Sequence, residues 1–107
     1  MPSRVELCKV EDVPIGEVRK VEAGHRTVAV YNLDGSFFVT DNACTHGPGE
    51  MSEGLVDGDV IECNFHQGRF SIRTGEVAGP PCMVPLRTYT AIVESGAVWI
   101  EVGSDPE

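Results

Sequence analysis

Apolar and β-branched residues are gathered along this chain in short runs, each ended by a polar break that carries a glycine. Val28-Ala29-Val30-Tyr31 and Phe37-Phe38-Val39 flank Asn32-Leu33-Asp34-Gly35-Ser36. Asp-Gly between two such runs is the strongest short-range sign of a hairpin, because the favoured two-residue turns need φ > 0. Val56-Asp57-Gly58-Asp59-Val60-Ile61 repeats the device. Tyr89-Thr90-Ala91-Ile92-Val93 and Ala97-Val98-Trp99-Ile100 enclose Glu94-Ser95-Gly96 and predict a third hairpin. Residues 88–93 and 98–102 are rich in side chains that fit a pleated, half-buried surface. Helical signals are thin. Lys9 to Val13 is short and is stopped by Pro14 and Gly16, so one turn at most is expected. There is no internal repeat, linker or low-complexity tract, and residues 103–107 should fray. The pattern predicts an all-β chain.

The bulk numbers narrow the class. A chain of 107 residues makes one domain with a single modest core, here 1–107. Twelve Gly and seven Pro agree with many turns between short strands. Seventeen acidic residues against eight basic ones give a net charge of −9. Such a chain should repel nucleic acid and anionic membrane surfaces and favour partners with electropositive patches. Met1-Pro2-Ser3-Arg4 runs straight into Val5-Glu6 with no secretory apolar stretch, and nothing approaches a membrane span. The expected location is cytoplasmic, where Cys8 and Cys82 would stay unpaired thiols.

The remaining two cysteines sit in a mixed pattern. Cys44-Thr45-His46 and Cys63-Asn64-Phe65-His66 each offer one thiol and one imidazole, giving C-x-H-x16-C-x2-H. A site that must hold two unlike irons, one by sulfur and one by nitrogen, can take one ligand of each kind from each of two loops, as in [2Fe–2S] centres where two His replace two Cys. A structural zinc site is the plain alternative for two Cys and two His. Zinc modules usually pair like residues, as C-x2–4-C and H-x3–5-H, and this chain does not.

The surroundings extend the pattern. Gly68 follows the second pair, then Arg69-Phe70-Ser71-Ile72-Arg73-Thr74-Gly75, Gly79-Pro80-Pro81 and Pro85-Leu86. Across residues 40–90 the chain resembles the Rieske iron–sulfur domain, and in detail the small soluble Rieske ferredoxins that serve bacterial aromatic-ring-hydroxylating dioxygenases. The resemblance implies a β-sandwich base, from residues 1–42 and 84–103, with a small inserted cluster-binding subdomain at about 43–83. It implies one Rieske-type [2Fe–2S] cluster, with Cys44 and Cys63 on one iron and His46 and His66 on the other. The proline loop would shield one side of it, and Gly47, Gly49 and Gly68 would allow close backbone approach. In high-potential members of the family two further cysteines bridge the loops, and a serine and a tyrosine donate to sulfur. The matching positions here look like Gly49 and Phe65, and Gly68 and Phe70. Fewer donors leave more electron density on sulfur, so the expected potential lies at the low end of the Rieske range, on the order of −150 mV.

A cluster whose irons are fully coordinated binds neither oxygen nor substrate. Oxygenase chemistry would need a second iron held by two His and a carboxylate, and only His25 remains, in a predicted turn. No Ser–His–Asp set, phosphate loop or GxGxxG appears. The expectation is an electron carrier of aromatic hydrocarbon catabolism and not the terminal enzyme. The resemblance implies that it takes electrons from an NAD(P)H-dependent flavoprotein reductase and passes them to a terminal ring-hydroxylating oxygenase. The alternative is the small Rieske subunit of a larger oxidoreductase such as nitrite reductase. His46 and His66 would form the transfer edge, with Pro48, Gln67, Pro81 and Met83 nearby. Glu50, Glu53, Asp57, Asp59 and Glu62, lying between the ligand pairs, would speed encounter with basic partners. The expected state is a monomer that associates transiently.

Overall fold

A computed structural model describes residues 3–24, 26–44, 49–64, 67–79 and 84–102. Eleven strands appear among them: β1 (Ser3–Lys9), β2 (Val18–Ala23), β3 (Arg26–Leu33), β4 (Ser36–Asp41), β5 (Leu55–Asp57), β6 (Val60–Glu62), β7 (Arg69–Ser71), β8 (Val77–Gly79), β9 (Thr88–Tyr89), β10 (Ala91–Glu94) and β11 (Ala97–Val102). The only helical pieces among the described residues are single 3-10 turns at Val10–Asp12 and Met51–Glu53. The fold is all-β, as the patterning predicts.

The three predicted hairpins form where their turn residues dictate. In β3–β4, Leu33 pairs with Ser36 and both Asp34 and Gly35 have positive φ. In β10–β11, Glu94 pairs with Ala97, and Ser95 and Gly96 do the same. Two positive φ values make these type I′ turns, whose twist matches that of the strands. Asp57 pairs with Val60 across Gly58-Asp59, and only Gly58 has positive φ, the type II′ arrangement.

The strands make three antiparallel sheets, ordered β1-β11-β10, β2-β3-β4-β9 and β5-β6-β7-β8. Strand β3 explains their stacking. Its alternate residues enter different cores, because successive side chains of a strand point to opposite faces. Val28 and Val30 pack with Cys8, Val13, Val39, Val98 and Ile100, which fill the base between the first two sheets. Ala29, Tyr31 and Leu33 pack with Cys44, Met51, Ile61, Cys63, Phe70, Ile72 and Leu86, between the second sheet and the third. The sheet β2-β3-β4-β9 is thus a central layer with both faces covered.

The run 88–93 behaves differently from the single strand its composition predicts. Thr88 and Tyr89 pair with β4, whereas Ala91 to Glu94 pair with β11. The chain changes sheet at Thr90, which makes this run a corner of the sandwich. Among the described residues no helix is long and apolar enough to cross a membrane.

Candidate metal centre

The two cysteine-bearing loops are built alike. In the first, Ala43 bridges to Glu50, and the Cys44 N–H donates to the Gly49 carbonyl at 2.9 Å. In the second, Glu62 pairs with Arg69, and the Cys63 N–H donates to the Gly68 carbonyl at 2.6 Å. Each cysteine is therefore the first residue beyond a closing backbone pair. Gly49 and Gly68, the acceptors, are both buried.

Both cysteines are buried in the same hydrophobic core. Cys44 is 7% exposed and Cys63 1%, and both belong to the core that contains Met51, Ile61, Phe70 and Leu86. Two cysteines on separate loops share one apolar, water-poor core, and apolar burial of that kind suits an iron–sulfur group. His46 and His66 lie outside the described residues, as do His25, Gly47, Pro48, Phe65, Pro80, Pro81, Cys82 and Met83. Among the described residues no three His, Cys, Asp or Glu side chains gather as a metal site.

Residues that the sequence reading did not single out hold the loops in place. Asn42, 3% exposed, uses all of its polar groups. Its N–H donates to the Thr27 carbonyl at 3.0 Å, and its carbonyl accepts from the Met51 N–H at 2.7 Å. Its Nδ2 donates to Glu50 Oε1 at 3.1 Å, and its Oδ1 accepts from the Ser52 N–H at 2.9 Å. Asn42 thus pins both ends of the first loop to the central sheet. Glu50 also meets Lys20 Nζ at 3.2 Å, and the lysine, with help from Asn42, holds the Glu50 carboxyl below the usual range. Across the gap, Asn64 Oδ1 accepts the Glu50 backbone N–H at 2.9 Å.

Two glycines permit close backbone approach. A side chain on Gly54 would collide with the Glu62 carbonyl group, directly before Cys63. Gly75, with φ +79°, faces the Leu86 carbonyl, and the Leu86 N–H donates to the Gly75 carbonyl at 2.8 Å. That contact docks the segment after the proline loop onto the β7–β8 turn. Phe70 is fully buried in the site core and brings no hydroxyl to it. Gln67 is exposed and has φ +59°, an uncommon value for a residue with a side chain.

Comparison with known proteins agrees with this geometry. The family model of the Rieske [2Fe-2S] domain matches residues 3–90. The ferredoxin component of the p-cumate 2,3-dioxygenase system of Pseudomonas putida is 44% identical over 105 residues, 95% of this chain and 88% of that protein. The solved Sphingomonas yanoikuyae B1 ferredoxin superposes with a TM-score of 0.90 at 43% identity, covering 94% of this chain and 100% of that one. A chain from the complex of reduced oxygenase and oxidized ferredoxin in carbazole 1,9a-dioxygenase superposes with a TM-score of 0.86 at 41% identity, covering 91% of each.

Proposed function

The chain belongs to the Rieske [2Fe–2S] domain family, and from that premise we propose that it is the ferredoxin of an aromatic-ring-hydroxylating dioxygenase system. It carries one Rieske-type [2Fe–2S] cluster, which when bound supplies a one-electron couple at the site. Cys44 and Cys63 would hold one iron and His46 and His66 the other. The observation that carries this reading is the burial of Cys44 and Cys63, from two loops of like construction, in one hydrophobic core.

The protein's own residues then do three things. Met51, Ile61, Phe70 and Leu86 exclude water from the thiol side of the site. Asn42, Gly54 and Gly75 fix the backbone that presents the ligands. The net charge of −9, with exposed Glu53 beside the loops, gives a negative surface for steering toward basic partners, although Asp57 and Asp59 are paired with Arg69 at 2.9 Å and Arg73 at 3.6 Å. The chain acts as an electron-transfer component and leaves substrate oxidation to another protein. Its two partners are a terminal oxygenase, which receives the electron, and an NAD(P)H-dependent flavoprotein reductase, which supplies it. We read residues 1–107 as one domain with the cluster-binding part at about 43–83, working as a cytoplasmic monomer.

The test is electron paramagnetic resonance of protein purified without air and reduced with dithionite. A rhombic signal with a lower average g than an all-cysteine [2Fe–2S] cluster supports histidine ligation. Its loss in His46→Ala and in His66→Ala assigns the ligands. A colourless protein containing zinc overturns the reading. Oxidation of the reduced carrier by a ring-hydroxylating oxygenase, in rapid mixing, tests the partner.

A further inference from the structure

We propose that Asn64 is a positioning residue that ties the second ligand loop to the first. Its side-chain oxygen accepts the backbone N–H of Glu50 at 2.9 Å, and the two residues lie on different loops. Glu50 is a fixed anchor for that bond. Its carboxylate is held by Lys20 from β2 and by Asn42, and its backbone bridges Ala43 just before Cys44. Asn64 follows Cys63 directly. The bond therefore links the neighbourhood of one thiol to that of the other through a single side chain.

Gly49 and Phe65 supply no cysteines for a covalent bridge. Buried Asn42 belongs to the first loop and holds it to the base, and Gly54 lies close behind the Glu62 carbonyl. An asparagine oxygen can do this work because an Asn side chain readily accepts from nearby backbone N–H groups. The amide fixes distance without adding charge beside the site. Removing it would let the loops move apart and admit water to the thiol side.

This inference rests on the reading of Cys44 and Cys63 as ligands, and the experiment separates the two. Asn64 is exposed, so its replacement leaves both cores intact. The variants are Asn64→Ala, which removes the acceptor, and Asn64→Asp, which keeps an oxygen in its place. Two quantities are read on the holoprotein: the rate of cluster loss to an iron chelator, and hydrogen–deuterium exchange at the Glu50 amide. One neutral hydrogen bond corresponds to a change of about threefold to tenfold. Asn64→Ala should lose its cluster faster by about that factor and exchange the Glu50 amide faster, and Asn64→Asp should restore both. An unchanged Glu50 exchange rate in Asn64→Ala, or no rescue by Asn64→Asp, overturns the proposal. If wild type holds no iron–sulfur cluster the ligand reading fails, and Glu50 exchange in the three proteins still decides whether the tie exists.

Discussion

Replacing Gly54 by alanine should damage the cluster site while sparing the base. A methyl group there falls well inside contact distance of the Glu62 carbonyl oxygen and 3.1 Å from its carbon. The Met51 carbonyl oxygen, 3.2 Å away, closes the other side. Both obstacles are backbone, so no side chain can swing aside. With ordinary contact at about 3.5 Å, Gly54 and Glu62 must separate by roughly 1.4 Å. Cys63 follows Glu62 and inherits the displacement, whereas functional groups tolerate about 0.5 Å. Gly54 has φ −91°, so the cost is steric alone. Overpacking of this kind costs about 2 kcal/mol. Borne wholly by the second ligand loop, that weakens cluster retention about 30-fold. Gly96→Ala is the matched control. A methyl group there meets nothing within 4 Å, and φ is +75°, so only conformational strain of about 1 kcal/mol arises, in the β10–β11 hairpin of the base. The assay combines iron and sulfide per chain, cluster loss to a chelator, far-ultraviolet circular dichroism and thermal melting. Gly54→Ala should keep native β-sheet dichroism but lose its cluster readily. Gly96→Ala should keep its cluster and melt a few degrees lower. A full and equally durable cluster in Gly54→Ala would refute the idea that this close approach seats Cys63.

Further outcomes follow from the buried polar groups and the surface charge. Thr40 Oγ1 donates its one proton to the Asp41 carbonyl at 2.8 Å, so the buried Tyr31 hydroxyl, 2.8 Å away, must be the donor to Thr40. Tyr31→Phe should then cost about 1 kcal/mol in urea unfolding and Thr40→Val about 2 kcal/mol, since the latter strands a buried donor. The double variant should cost less than the two together, and equal or reversed single costs would contradict the assigned direction. Burial pushes the Cys8 and Tyr31 pKa values up, and burial with Asp41 raises that of Tyr89. Each group keeps its proton in the folded state at a pH where the unfolded chain has lost it. Stability should therefore be full below about pH 8.5 and fall above it, more steeply beyond about pH 10. Urea midpoints against pH check this, and Tyr31→Phe should flatten the upper part. Raising ionic strength from about 0.01 M to 0.15 M shortens screening from about 30 Å to 8 Å and should slow transfer to a basic partner. A salt-independent second-order rate constant would count against acidic steering.

Local chemistry determined much of this protein from the sequence alone. Asp34-Gly35, Gly58-Asp59 and Ser95-Gly96 each set a hairpin, because a two-residue turn of fixed twist depends on those residues and little else. The mixed cysteine–histidine pairs pointed to the Rieske family for a similar reason: residue type and loop spacing are local. Their glycine and proline surroundings marked the family. What the tertiary structure decided depends on which backbones come close. The run 27–33 is apolar enough to be buried, but only stacking placed Val28 and Val30 in the base core and Ala29, Tyr31 and Leu33 beneath the ligand loops. Composition at 88–93 could not announce a change of sheet at Thr90, since both halves suit a strand equally. Asn42, Gly54 and Asn64 carry no local signal of their roles. Asparagine and glycine near a turn are common, and only long-range approach to Thr27, Glu62 and Glu50 gives these three their work.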